Sequence, residues 1–534
     1  MENISSVFRT SLSPLLFLER SALVYLNKTA IIYGGKHTLY GEFSERVNRL
    51  ASALKIRGLQ AGERVAFLCP NTPPMLEAHF GVPLAGAVLV PINIRLSSKE
   101  VAYILNHSGA TFLFVDTEFA SVVASITEEL KTVKHIISIE DLSEFKPLEG
   151  ETYEEFLSSG NRESQPLMVE DEEETISINY TSGTTGEPKG VMYTHRGAYL
   201  NALGEGFASG FSSESSYLWT LPMFHCNGWC CTWGITAVGG THVCLRKVDP
   251  AIIWDVIKQE GISHLNGAPI VLTALMNHPE RPRKLEKPLT ITTAAAPPSP
   301  TLIEQVRSIG ARVVHVYGLT ETYGPHTICE TQPHWSELTA AEQATLFARQ
   351  GVAYVIADPI RVMDPDLNDV PADGKTLGEV VMRGNNVMKG YYLDPEKTAA
   401  AFKGGFFHSG DMGVMHPDGY IELKDRSKDI IITGGENVSS IEVEQALYRH
   451  PAVLETAVIG IPHSKWGETV KGFVTLKEGA SITEPELIEF CRIHIAHYKC
   501  PTAIEFTVLP KTATGKIQKF VLREREWAGH DRKI

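Results

Sequence analysis

No run of this chain approaches the ~20 consecutive apolar residues that span a bilayer; Ser11 to Leu18 is among the longest and falls far short. Cysteine is sparse and unpatterned. Cys69, Cys226, Cys230, Cys231, Cys244, Cys329, Cys491 and Cys500 contain no C-x-x-C pair, which argues against a zinc ribbon and a small secreted disulfide scaffold. A reducing compartment is expected. Positive charge is the minority sign: 49 Lys+Arg face 63 Asp+Glu, a net charge of −14. That excludes broad binding to nucleic acid or an anionic membrane, so any bound anion must be held locally. Met1 to Tyr25 has Arg9, Arg20 and the run Leu15-Leu16-Phe17-Leu18, but it also carries Glu2 and Glu19 and lacks an A-x-A-like site. It reads as an amphipathic first helix rather than a cleaved peptide.

The 534 residues have the balance of a globular protein, 43% hydrophobic and 21% charged. At about 150 residues per unit the length suits ~3 or 4 units, or one large core and a smaller one. Glu42 to Arg57 has the apolar spacing of a helix, and Val65 to Leu68 that of a strand. A helix around Met75 to Leu84, a strand at Val88 to Ile92, and the segments Val101 to Leu105 and Thr111 to Val115 keep up the alternation. It resumes from Pro250 to Tyr317. Strands separated by helices of this length predict right-handed crossovers and a largely parallel sheet. Residues 140–174, ending Glu170-Asp171-Glu172-Glu173-Glu174, read as a solvated connector. Beyond the charged stretch Asp425 to Asp429, about a hundred residues have a compact α+β pattern and predict a separate small domain after a hinge.

The sharpest motif is Tyr180-Thr181-Ser182-Gly183-Thr184-Thr185-Gly186-Glu187-Pro188-Lys189-Gly190, directly after the alternating strand Ile176 to Tyr180. Strand ends are where open α/β sheets place ligands. Glycines allow a tight turn with converging N–H groups, and the hydroxyls and Lys189 add donors for phosphate oxygens. It is not a Walker A motif, because Lys189 precedes Gly190 where G-K-[ST] is required. No G-x-G-x-x-G follows a strand either.

This segment resembles the phosphate loop of the adenylate-forming superfamily, which holds acyl-CoA synthetases, peptide-synthetase adenylation domains and luciferases. The resemblance runs from about Leu12 to Glu526. It implies an α/β fold: a large N-terminal body of doubly wound subdomains plus a β subdomain, and a small mobile α+β C-terminal domain. The implied divisions are 1–425, a hinge at 426–430, and 431–534. Val316 to Thr322 is similar to the second nucleotide segment; Tyr317 would stack on adenine, Thr320 would bond the α-phosphate and Glu321 would hold Mg²⁺. His315 and Gly318 belong to the same implied ATP site. Ala294, Ala295, Ala296 and Pro297 resemble the small-residue strand end beside adenine, although tight packing alone would also select alanine. Asp411 resembles the ribose-binding aspartate and Arg426 its second contact. Lys516, in Pro510 to Ile517, matches the catalytic lysine, though a basic loop can equally be a solvated one. Lys428 falls at the hinge position, and Gly434, Gly435 and Glu436 at the face met by CoA; an ordinary turn is compatible with those glycines.

Pro222 to Trp229 resembles the start of the acyl-pocket helix. His225 would orient carboxylate and thiol, or be a satisfied structural histidine. Amino-acid-activating relatives carry an acid here, so His225 points to a simple carboxylic acid. Asn227, Trp229, Cys231, Ala294, Ala296 and Gly318 are the implied pocket walls, with Trp229 limiting depth. The whole predicts a ligase using ATP, Mg²⁺ and CoA on short- or medium-chain, branched or aromatic monocarboxylic acids, acting as a monomer or homodimer without nucleic acid or a membrane span. The alternatives are transfer to a carrier-protein thiol, and a non-catalytic nucleotide-binding protein. Arg532-Lys533-Ile534 departs from the peroxisomal S-K-L pattern, so the cytosol is expected, with the peroxisome as the alternative.

Overall fold

Runs such as Val-Ala-Phe-Leu and Thr-Phe-Leu-Phe-Val are too apolar for a half-exposed strand, and each becomes fully buried. A computed structural model describes residues 9–528 apart from 168, 182–187, 296–297, 427–428, 434–435, 464 and 512–516. Arg64–Leu68 lies between Val88–Pro91 and Ala110–Asp116, all parallel, in an eight-stranded sheet. His135–Ile139 and Glu151–Thr152 extend one side in parallel. On the other side Thr175–Thr181 continues the parallel set, then Lys189–Thr194 and Gly390–Tyr391 add antiparallel strands. A nine-stranded sheet is parallel from Arg312–Leu319 through Thr290–Thr293, His264–Gly267, Ser216–Leu218 and Thr241–Val243 to Thr29–Tyr33, with antiparallel edges. Helices cover both faces, as parallel strands require. The largest apolar core joins the helices Tyr40–Ile56, Pro73–Leu84, His195–Ser209 and Cys231–Ala237 to both sheets.

A four-stranded antiparallel sheet, Arg361–Met363, Gly378–Met382, Phe407–Met415 and Ile421–Arg426, forms the β subdomain. The C-terminal domain has its own sheet, built on the long hairpin Val453–His463 and Gly467–Leu476, and its own cores. This is the α/β architecture expected, a large body and a smaller α+β unit. No described helix is long and apolar enough to cross a membrane.

The acidic stretch 140–174 is more than a solvated connector. Its middle adds the strand Glu151–Thr152 to the sheet and forms the helix Tyr153–Ser158. Tyr153, Phe156 and Leu157 are buried there, and the Tyr153 hydroxyl donates to Glu77 at 2.7 Å. Glu172, within the charge run, accepts from the Leu12 amide and pairs with Arg196 at 2.9 Å. Charge density hid a short apolar i, i+3, i+4 stripe.

Candidate active site

Two strands of different sheets end close together. Thr175–Thr181 leads into the Ser182 to Glu187 segment, and the antiparallel register pairs Thr181 with Lys189 on its return. Ser182, Gly183, Thr184, Thr185 and Gly186 lie outside the described residues. Arg312–Leu319 runs into a 3₁₀ turn at Thr320–Thr322, then returns as Gly324–Ile328. Gly318 has to be glycine in this hairpin, since a Cβ would sit 1.8 Å from the Gly324 carbonyl oxygen.

The second nucleotide segment is wired to the first by tyrosines. Tyr193, on the strand after Lys189, donates to the Thr320 carbonyl at 2.5 Å and stacks on Tyr323 with centroids 3.9 Å apart. The Lys189 ammonium lies 4.6 Å from the Tyr391 ring centroid, and the Tyr391 hydroxyl donates to Glu321 Oε1 at 2.9 Å. Cation, ring and carboxylate thus form one chain. Nothing in sequence flagged Tyr391: its strand of two residues pairs with Lys189–Thr194 across some two hundred positions.

A second cluster adjoins it. The Tyr317 hydroxyl donates to Asp411 Oδ2 at 2.7 Å, and Arg426 Nε approaches Asp411 Oδ1 at 3.1 Å. Asp411 and Arg426 are register partners of the antiparallel pair Phe407–Met415 and Ile421–Arg426. Three residues predicted for adenine and ribose therefore meet in one charge-assisted group. His315 sits two residues back on the Tyr317 strand. Its ring is buried, and Nδ1 donates to the Phe347 carbonyl at 3.0 Å. Burial pushes its pKa down to about 4, so the ring is neutral. Ala294 is buried and Ala295 exposed with φ +75°; Ala296 and Pro297 lie outside the described residues.

His225 precedes an unusual turn. Cys226, Asn227, Gly228, Trp229 and Cys230 all have positive φ, between 45° and 61°. A left-handed run costs L-residues about 1–2 kcal/mol each, so its surroundings must impose it. Asn227 is the fastener. Its Oδ1 accepts from the Ser177 hydroxyl at 2.6 Å and the Asn179 amide at 2.5 Å, and its own N–H donates to Asn179 Oδ1 at 3.1 Å. Gly228 lies against Trp219, where a Cβ would come within 2.6 Å. Asn227, expected as a pocket wall, is wholly buried and fastens this turn to the strand that carries the phosphate segment. Trp229 packs flat on Gly324, with Cδ1 2.5 Å from where a Cβ would be. Cys226 Sγ lies 3.5 Å from Thr320 Oγ1 and 3.7 Å from His225 Nε2, which brings His225 and Thr320 to one place. Cys231 is buried at the start of the next helix, its sulfur 3.6 Å from the Asn266 amide. Sequence reasoning missed Ser177, Asn179 and Tyr193 because strand residues read as framework.

Glu436 is exposed on the short strand Glu436–Val438. Lys428, Gly434, Gly435 and Lys516 lie outside the described residues.

The profile of the AMP-binding enzyme family matches residues 18–392, and that of the AMP-binding enzyme C-terminal domain matches 442–516. A 4-hydroxybutyrate–CoA ligase of Metallosphaera sedula is 47% identical over 521 residues, 96% of this chain and 94% of its own length. An acetate–CoA ligase of Humulus lupulus is 45% identical over 545 residues, 97% of this chain and 95% of its own. A crystal structure of an anthranilate–CoA ligase in complex with anthranoyl-AMP matches with a TM-score of 0.88 at 27% identity, covering 98% of this chain and 99% of that one.

Proposed function

Because this chain belongs to the AMP-binding enzyme family, we infer that its cleft joins carboxylic acids to coenzyme A with ATP. It is an acid–thiol ligase. The observation that carries this reading is the convergence of two anion-handling clusters, Lys189–Tyr391–Glu321 and Tyr317–Asp411–Arg426, beside His225. In the first step a carboxylate oxygen of the acid attacks the α-phosphorus of ATP. The bond from that phosphorus to the bridging oxygen breaks, pyrophosphate leaves, and acyl-AMP forms. In the second step the thiolate of CoA attacks the acyl carbon and AMP leaves with the electron pair of the broken C–O bond.

The residues support these steps in distinct ways. Tyr317 and Asp411 would hold adenosine, with Arg426 orienting the aspartate. Lys189 and the Thr181 to Gly186 backbone would cradle the phosphates. Glu321 fits a Mg²⁺ ion: among the described residues its carboxylate takes one side-chain hydrogen bond, from Tyr391, and keeps acceptor capacity. The ion would draw negative charge off the phosphates; a single carboxylate suits it, since Mg²⁺ takes its other oxygens from substrate and water. Lys516 would aim positive charge at the transferring phosphorus, and its withdrawal by rotation of residues 431–534 about Lys428 would admit CoA toward Gly434, Gly435 and Glu436. His225, beside Cys226 and Thr320, would guide carboxylate and thiol. Trp229 on Gly324 would close the pocket to long chains, which favours short acids. The peroxisomal names of several relatives support the peroxisome as the alternative to the cytosol. The test is AMP release with and without CoA across acetate to decanoate, branched acids, benzoate and cinnamate. Pyrophosphate release that depends on acid but never yields a CoA thioester would overturn the acceptor; ATP binding without acid-dependent turnover would overturn the ligase.

A further inference from the structure

Folded interiors pair nearly all their buried polar atoms. Among the buried side-chain atoms that depart from this rule, one group stands behind Cys231. Glu205, on the helix His195–Ser209, is completely buried; Oε1 accepts from the Tyr354 hydroxyl at 3.3 Å, and Oε2 has no partner among the described residues. The Tyr217 hydroxyl has only the weakly bonding Cys231 thiol beside it, and Thr232 Oγ1 and Asn201 Oδ1 are buried without a partner. So are both ring nitrogens of His326, although the Asn386 amide approaches that ring.

Glu205, Tyr217 and Tyr354 belong together, and His326 is joined to them through the Tyr354 backbone. The Tyr354 amide donates to the His326 carbonyl at 2.9 Å while its hydroxyl reaches Glu205. Glu205, Tyr217 and Tyr354 are each electrostatic neighbours of Cys231, and no described ion pair involves Glu205. The groups facing it are thus Tyr217, Cys230, Cys231 and Tyr354, none a cation. Cys231 is two residues from Trp229, and His326 lies two residues beyond Gly324, on which Trp229 packs. Glu205 thus stands behind Cys231, a residue expected to wall the acyl pocket, where the far end of a short acid would arrive. An uncompensated carboxyl in an apolar interior is retained against a large desolvation penalty, and a partner absent from the free protein accounts for it.

We propose that Glu205, with Tyr217, forms a polar end to the acyl pocket that recognises a hydroxyl on the tail of the acid, so that hydroxyalkanoates are selected over alkanoates of equal chain length. This rests on the ligase reading above. The tail hydroxyl donates to Glu205 and accepts from Tyr217, which exchanges its weak thiol contact for an oxygen acceptor. Burial pushes the Glu205 pKa up to about 8, so at neutral pH the carboxyl is mostly protonated and becomes an anionic acceptor above that.

The experiment compares kcat/KM for butyrate with 4-hydroxybutyrate, and propionate with 3-hydroxypropionate, by CoA-dependent AMP release between pH 6.5 and 9. The wild type should favour one or both hydroxy acids by about 10-fold or more, since sites built to bond a hydroxyl reject the analogue lacking it. The preference should grow as pH passes the Glu205 pKa. Glu205→Leu should bring the ratio to about unity or invert it. Glu205→Gln, which keeps volume and polarity, should retain a preference but lose its pH dependence; it decides the matter if the leucine variant does not fold. A wild-type ratio at or below one for both pairs, or a ratio and pH profile unmoved by both substitutions, overturns the proposal and leaves the ligase intact. Absence of AMP release with every acid removes the ligase reading and this one with it.

Discussion

Asn227→Ala tests whether the left-handed turn is held by side-chain hydrogen bonds or by chain packing alone. Asn227 Oδ1 receives two donors, Ser177 Oγ at 2.6 Å and Asn179 Nδ2 at 2.5 Å, and all three residues are fully or nearly fully buried. Truncation strands both donors, at about 1–3 kcal/mol each. Ser177 can still share with Asn179, whose amide lies 3.3 Å from its hydroxyl, so the lower half of that range applies. Asn tolerates φ near 45° better than Ala does, which adds about 1 kcal/mol. The expected loss is about 3–5 kcal/mol. Asn227→Gly removes the same bonds but relieves the backbone, so it should lie about 1 kcal/mol above the alanine variant. Urea unfolding followed by tryptophan fluorescence reads this transition, because Trp219 lies against Gly228 and Trp229 is within the turn. Equal destabilisation of less than about 1 kcal/mol by both variants would refute the reasoning and leave the turn to packing.

Other consequences are nearer the chemistry. Lys516→Ala should lower acyl-AMP formation by ~10²–10³ through loss of a transition-state charge, while CoA thioester formation from supplied acyl-AMP survives; stopped-flow measurement of the half-reactions would expose equal losses in both, which would sink the two-position mechanism. Tyr391→Phe keeps the ring under Lys189 but removes the 2.9 Å bond to Glu321. A hydrogen bond to a charged group is worth about 1.5–3 kcal/mol, so half-maximal turnover should need about 10-fold more Mg²⁺; an unchanged Mg²⁺ titration would detach Glu321 from the metal. Trp229→Ala should move the acid preference toward longer chains, and an identical chain-length profile would take Trp229 out of the pocket.

Much of this was legible in the sequence because the signals are local. Strand and helix periods placed both wound sheets, and the turn chemistry of residues 180–190 and 316–322 marked the two strand ends that meet. What escaped was non-local or conformational. Tyr391 meets Glu321 only because a two-residue strand happens to pair beside Lys189. Asn227 reads as a wall because residues 222–229 resemble the start of an acyl-pocket helix; in the left-handed turn its side chain meets Ser177 and Asn179. His315 shares a strand face with Tyr317, yet its bond to the Phe347 carbonyl depends on how residues 339–348 fold back. A glutamate such as Glu205 in a helix of mixed polarity reads as solvated until tertiary packing buries it.

The junction between body and C-terminal domain shows how the acidic chain handles its few cations. Asp425 closes the last strand of the β subdomain; it is buried and accepts the Ser440 amide at 2.6 Å, which satisfies the first turn of the helix Ser440–Tyr448. Lys519 bonds the Ser440 hydroxyl at 2.5 Å and Glu444 at 2.7 Å, and Arg523 pairs with Asp429. Burial opposes the charge on Lys519, but Glu444, Asp425 and Asp429 together hold its pKa above the ordinary lysine value. Both cations belong to the helix Lys519–Glu526, which begins three residues after Lys516. The helix that follows the lysine loop is therefore ion-paired to Asp429 and Glu444, both beyond Lys428, and feels Asp425 before it only through its field. The rotation proposed about that joint would have to exchange the Asp425–Ser440 and Lys424–Ser439 contacts for water or new partners, while the Lys519–Glu444 pair would travel intact within the domain. The buried pair would give the rotating unit rigidity, and the few hydrogen bonds at Lys424 and Asp425 would leave the joint weak enough to turn.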